Sequence, residues 1–156
     1  MHPSVERVVT ALQAGGVQAE IREFSESTRT AVDAAAALGV AVGAIVKSLV
    51  FVADGSPILV LASGDHQVDT SKVAHVLEVG HVGRADADLV RDATGFAIGG
   101  VAPVGHPRAL PTVIDNHLAT FDVIWAAAGT PKTVFATTFA ELSALTDAVA
   151  ADVGAS

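Results

Sequence analysis

The chain has 156 residues, enough for one domain with a real core, and 51% of them are hydrophobic against 17% charged, a balance that excludes disorder. The formal net charge of -8 disfavours non-specific binding along nucleic-acid backbones, which needs many Lys and Arg contacts, and leaves only a local basic patch open. There is no cysteine, so disulfides, thiolate catalysis and Cys-based zinc sites are excluded.

Aromatics are only 4% of the chain, so the core is expected from small and β-branched side chains. The N-terminus lacks the basic-then-apolar layout of a signal peptide. No apolar run approaches the roughly 18 residues that suggest a membrane span. A soluble cytoplasmic protein is expected.

In chain order, Val5, Val8, Val9 and Leu12 recur at helical spacing, and Gly15-Gly16 stops that helix. Gln18 to Phe24 alternates enough for a strand, and Ser25 to Arg29 is a polar loop. Thr30 and Asp33 have the form of a capping box before an Ala-rich helix that Gly39 ends. Ile45 to Val52 reads as a buried strand, closed by a turn at Asp54-Gly55-Ser56-Pro57, and a second strand runs from Pro57 to Ala62. Asp69 caps a helix through Leu77, and Asp86 caps another through about Ala93. Thr94 to Pro111 is loop-rich in Gly and Pro. Short strands are expected at Thr112 to Asp115, Phe121 to Ala127 and Thr133 to Ala136. Thr138 and Glu141 form a second capping box before a last helix, to about Ala148, and Val149 to Ser156 is expected to fray. The alternation, with hairpins as well as crossovers, points to an α/β (α+β) fold: one domain over residues 1–156, with a mixed β-sheet packed by helices.

Two stretches could carry chemistry. Lys47 is one of three lysines and interrupts the most apolar segment. An ammonium drawn into such surroundings loses solvation unless something anionic or a set of carbonyls meets it. The bland alternative is a packed stem with its head in water, or an edge-strand gatekeeper. The second stretch is Gly99-Gly100-Val101-Ala102-Pro103-Val104-Gly105. Its glycines let backbone approach a ligand and Pro103 stiffens it, although an ordinary turn-rich connection would look alike. The standard phosphate-loop, dinucleotide and nucleophile-elbow patterns are absent. Of six histidines, His75 and His81 are spaced for weak metal ligation, with solvated or capping roles as the alternative.

Lys47 within Ile-Val-Lys-Ser-Leu, followed about fifty residues later by Gly-Gly-Val-Ala-Pro-Val-Gly, resembles the YbaK/EbsC family. These are free-standing relatives of the editing domain inserted in prolyl-tRNA synthetases. The resemblance runs from about Ser27 to Leu145 and includes the Gly64-Asp65 turn, the Val113-Ile114-Asp115 strand and the Ala128-Gly129 turn. It implies the YbaK/prolyl-tRNA synthetase-associated domain fold, with a core of about residues 27–147. It also implies an aminoacyl-tRNA deacylase that edits in trans, hydrolysing the ester of a wrongly charged tRNA, typically cysteinyl- or alanyl-tRNA(Pro). By that resemblance Lys47 binds the phosphate or sugar of the terminal adenosine. Gly99, Gly100 and Pro103 belong to the loop lining the aminoacyl pocket, and Gly100 and Gly105 keep it open. Asp115, Gly129 and Thr130 lie near the substrate. The implied partner is the tRNA acceptor end, with prolyl-tRNA synthetase as a candidate second partner; no DNA, membrane, cofactor or metal is expected.

An aminoacyl ester is already activated, so positioning and polarisation suffice without a side-chain nucleophile. A tRNA hydroxyl, or the thiol of a cysteine substrate, can assist. Lys72, Arg84, Arg91, Arg108 and Lys132 are candidate phosphate contacts. The competing readings are a non-catalytic module that binds an acceptor end or a protein, and a small-molecule binder on the same fold. On the functional reading, a Cβ at Gly100 would intrude where substrate approaches, so Gly100→Val is expected to lower activity more than stability.

Overall fold

The computed structural model describes residues 1–28 and 30–155; Arg29, at the end of the expected polar loop, and Ser156 lie outside the described residues. Five α-helices cover Pro3–Ala14 (α1), Ala31–Leu38 (α2), Thr70–Leu77 (α3), Ala87–Thr94 (α4) and Phe139–Thr146 (α5). Eight strands cover Ile21–Glu23 (β1), Val46–Ala53 (β2), Ser56–Ser63 (β3), Val82–Arg84 (β4), Thr112–Asp115 (β5), Ile124–Ala127 (β6), Thr133–Thr137 (β7) and Val149–Ala151 (β8). No helix among the described residues is long and apolar enough to cross a membrane.

Helix starts follow the capping residues. Thr30, Asp69, Asp86 and Thr138 each accept from a backbone N–H of the first turn of α2, α3, α4 and α5. Each such bond satisfies a donor that the helix itself cannot, worth about 1 kcal/mol. The box before α5 is only half closed in the expected way: Thr138 accepts from Glu141 N, but the Glu141 carboxylate takes the Thr137 hydroxyl at 2.7 Å.

The strands form a five-stranded mixed sheet, β4-β2-β3-β5-β8, and a separate three-stranded antiparallel sheet, β1-β7-β6. β2 and β3 pair antiparallel along their whole length, whereas β3–β5 and β5–β8 are parallel. β3 is buried from Ile58 to Ser63. Leu59 and Leu61 enter the larger core, and Ile58, Val60 and Ala62 enter a second core on the opposite face. With both faces covered, its apolar residues run without alternation, and each buried Leu contributes about 1.5–3 kcal/mol.

The expected buried strand at Ile45 to Val52 is corrected in two respects. β2 begins at Val46, because Ile45 instead bridges Trp125 of β6, and its interior is only half-buried. β4 pairs with Phe51–Ala53 alone, so the first part of β2 keeps an open edge. The fraying C-terminus is also corrected. Val149–Ala151 is a strand beside β5, Val153 is fully buried, and Gly154 bridges Val68. Lys72 clamps the end by donating to the Gly154 carbonyl at 2.6 Å and to Asp152 at 3.0 Å.

Candidate active site

The open edge of β2 forms one wall of a cleft of about 650 Å³. Lys47, Ser48 and Val50 lie along that edge, Trp125 and Thr133 come from the three-stranded sheet, and Gly99 and Val101 come from the glycine loop. The walls are mainly apolar and the rim carries exposed Val32 and Ile98. The Ser48 Oγ is buried without a hydrogen-bond partner in this wall. Arg84 also reaches the cleft, and the Arg22 guanidinium sits 4.9 Å over the Trp125 ring.

Lys47 stands between this cleft and a polar cluster. Side chains alternate along β2: Val46 and Val50 pack in the larger core, Leu49 and Phe51 in the second. Lys47 therefore shares the face of Leu49, and its ammonium donates to the His66 carbonyl. Burial pushes the ammonium below its ordinary pKa, and the Asp115 and Asp65 carboxylates offset that only in part.

The cluster sits at the carboxyl ends of the parallel pair β3 and β5. Asp115 ends β5 and is fully buried. It accepts from Ser63 N at 3.0 Å and His117 N at 3.0 Å, and its Oδ2 is 2.8 Å from His66 Nδ1. The His66 and His117 rings stack at 4.4 Å. Asp65 accepts from the Ser63 hydroxyl at 2.8 Å. Burial raises the pKa of the Asp65 carboxyl, but the Ser63 hydrogen bond and the charges of His117 and His66 outweigh it and hold the group below its ordinary value.

Of the residues singled out from sequence, Lys47, Gly99 and Thr130 line the cleft together. Gly100 lies just behind it: a Cβ there would be 2.9 Å from Thr130 Cα and 3.2 Å from the Gly129 carbonyl oxygen. The space that a Cβ at Gly100 would enter is thus filled by protein backbone. Gly129 has φ +109, and a Cβ would be 2.7 Å from the Ser4 carbonyl oxygen in α1. Pro103 and Gly105 line a second cavity of about 600 Å³ between α1, α5 and the loop. Asp115 belongs to the histidine cluster. Among the candidate phosphate contacts, Arg84 is on the cleft, Lys132 lies between cleft residues Pro131 and Thr133, Lys72 is paired with Asp152, Arg91 is in the last turn of α4 and Arg108 is on the second cavity. His75 and His81 belong to no grouping of potential metal ligands among the described residues.

Three supports of the site were not seen from sequence. Thr28 ties its own N–H and hydroxyl to the Pro131 carbonyl, fixing the turn at Gly129 to Pro131. Arg7 of α1 donates to the Gly95 carbonyl and lies 4.5 Å over the Phe96 ring. His106 donates from Nε2 to the Ala102 carbonyl at 2.7 Å, pinning the glycine loop from behind. Burial pushes His106 below its ordinary pKa of 6.5, its bond to Ala102 opposes this, and Arg7 adds to it. The unfolded chain therefore takes up this proton more readily than the folded one. The stability linked to His106 is present above pH 6.5 and is lost as pH falls toward its lowered folded pKa. Thermal melts from pH 8 to pH 5 are expected to fall less steeply in His106→Gln, which keeps a donor for Ala102 but cannot take a proton. Identical slopes for both proteins would show that His106 is not the titrating group.

Comparison with known proteins matches this geometry to a family. The model of the aminoacyl-tRNA editing domain matches residues 25–145. The proline–tRNA ligase of Bacillus licheniformis is 38% identical over 122 residues, covering 76% of this chain but only 21% of the ligase. The uncharacterized protein YwhH of Bacillus subtilis is 32% identical over 126 residues, covering 80% of this chain and 79% of that protein. A crystal structure described as a candidate trans-editing enzyme for prolyl tRNA synthetase superposes with a TM-score of 0.94 at 43% identity, covering 100% of this chain and 99% of that one. With the matched model spanning most of the chain and the fold shared throughout, this protein belongs to the aminoacyl-tRNA editing domain family.

Proposed function

We propose that the protein is an aminoacyl-tRNA deacylase that acts in trans in the cytoplasm, with cysteinyl- or alanyl-tRNA(Pro) as substrate and the acceptor end as its main contact. The observation that carries this reading is the convergence of Lys47, Gly99 and Thr130 on one cleft. The apolar walls suit a small aminoacyl group, the Trp125 ring offers a face for the terminal adenine, and Lys47, with Arg84 on the same cleft, supplies positive charge for phosphate or sugar. In the hydrolytic step the oxygen of a water adds to the ester carbonyl, the bond from that carbon to the ribose oxygen breaks, and the proton given up by the water passes to the ribose oxygen, leaving free amino acid and uncharged tRNA. No side-chain nucleophile is needed, because the ester is activated and the open backbone of β2 and the glycine loop can position it.

Few phosphate contacts are required if only the acceptor end is held, which reconciles a net charge of -8 with a tRNA partner. Prolyl-tRNA synthetase is proposed as a second partner, recruited to the same tRNA. The test is release of amino acid from alanyl- and cysteinyl-tRNA(Pro) side by side, with correctly charged prolyl-tRNA as control. Selective release of one mischarged amino acid is expected. Binding of the acceptor end without release from any of them would instead favour a recognition module.

A further inference from the structure

Outside the cleft, the described residues contain one grouping of three potential metal ligands, Asp65, His66 and His117, whose ligand atoms all lie within 4.8 Å of one another. We propose that these three side chains form a binding site for a divalent transition metal of the zinc class. Asp65 Oδ1 is 3.9 Å from His66 Nε2, and Asp65 Oδ2 is 3.5 Å from His117 Nε2. Ligands about 2.1 Å from a tetrahedral ion stand roughly 3.4 Å from one another, so each imidazole already lies near that separation from one oxygen of the Asp65 carboxylate. Two imidazoles and one carboxylate make a three-ligand set with a fourth position open, a donor set that suits zinc and not magnesium.

The surrounding hydrogen bonds favour this reading. Asp115 Oδ2 is 2.8 Å from His66 Nδ1, so it accepts that N–H and leaves the Nε2 lone pair free for an ion. The second oxygen of the same carboxylate accepts the His117 backbone N–H. For His66 this is the outer-shell arrangement that metal-binding histidines use, a ring N–H given to a fully buried carboxylate, whereas for His117 the same carboxylate fixes the backbone. The Ser63 hydroxyl lies 2.8 Å from Asp65 Oδ1 and 2.7 Å from the Gly43 carbonyl oxygen, and its one proton serves either acceptor. The site lies beyond the carboxyl ends of two parallel strands, where sheets of this kind gather ligands. Lys47 is the opposing charge. Against it stand Asp65 and Asp115, so with neutral imidazoles the group keeps an excess of negative charge. The rings stand 24° apart in a stack, so a shared ion requires one to turn. The His117 side chain is 33% exposed and has room to do so.

The experiment titrates the purified full chain with ZnCl2, with MgCl2 as the contrast. It follows calorimetric heat, the thermal midpoint and the imidazole proton signals of all six histidines. The expected result is one zinc per chain, a raised midpoint, and movement of the His66 and His117 signals while those of His2, His75, His81 and His106 stay in place. His117→Ala and Asp65→Asn are each expected to weaken zinc binding about tenfold or more. The signals of the unaltered protein decide the matter even if a variant folds poorly. The proposal is overturned by the absence of saturable zinc binding, by equal binding in both folded variants, or by movement of the other histidines instead. A cluster serving only as an imidazolium–carboxylate pair would give a pH-dependent melt with no zinc response, which also overturns it. None of these readouts depends on deacylation, so this proposal and the proposed activity can fail separately.

Discussion

Lys47→Ala is expected to lower single-turnover deacylation about ten- to hundredfold while leaving a cooperative melt. A charge-assisted hydrogen bond from the ammonium to substrate is worth roughly 1.5–3 kcal/mol, and that energy converts to this factor if the contact acts in the transition state. Lys47→Met separates charge from packing. It keeps the apolar stem beside Leu49 and removes a charge that burial disfavours, so it should melt at or above the native temperature and still show the same loss of activity, about ten- to hundredfold. Asp115 keeps its contacts with Ser63, His66 and His117 in that variant, which limits the cost of losing the cation. Lys47→Arg should rescue poorly, because a planar fork does not reproduce a compact ammonium beside the His66 carbonyl.

The same residue sets a pH dependence. Its folded pKa lies below 10.5, so activity that needs the ammonium is lost as pH rises through that lowered value. Stability moves the other way, since the unfolded chain holds this proton more tightly and the penalty on the folded state disappears as the group deprotonates. Correction for spontaneous ester hydrolysis is essential at these pH values. Full activity in Lys47→Met would end the case for this lysine as part of the site.

Local signals were legible in the sequence, and non-local ones were not. Thr30, Asp69, Asp86 and Thr138 announce helix starts through the residues beside them, and the structure places helices there. β4 and β8 are three residues each and carry no periodicity; they exist because β2 and β5 offer edges to pair with. For the same reason Val149–Ala151 looked like a tail. The openness of the β2 edge follows from how short β4 is, which no pattern within Ile45 to Val52 reveals. Lys47 and the glycine loop were visible as a pair only through family resemblance. His66 and Asp115 are 49 positions apart and meet because β3 and β5 run parallel, a pairing that composition and spacing cannot indicate. Glycine density marked the Gly99 to Gly105 loop, but density does not say which side of a loop meets ligand. Gly105 faces the backbone of Arg7, and Gly100 faces the Gly129–Thr130 turn.

That last contact leads to the second large effect. Gly100→Val is expected to lower the melting temperature and the deacylation rate together. The Cβ would stand 2.9 Å from Thr130 Cα and 3.2 Å from both the Thr130 carbonyl carbon and the Gly129 oxygen. All three are backbone atoms, so no side chain can swing aside. The turn is itself held by the Thr28 bonds to Pro131 and by the Thr130–Thr133 hydroxyl pair at 2.8 Å. Forcing extra volume into such packing costs about 1–3 kcal/mol, and each kcal/mol corresponds to roughly 2–4 °C in a domain of this size. Either the glycine loop or the turn must then move. Gly99 and Thr130 both line the cleft, so its width changes with them and catalysis suffers in the same variant. Gly100→Ala should show the same two losses in smaller measure, because it adds the Cβ without the branched methyls. Melts and single-turnover rates for the two variants decide the point. A Gly100→Val protein that melts like the native chain but has lost activity would place substrate, and not the Thr130 backbone, against this glycine.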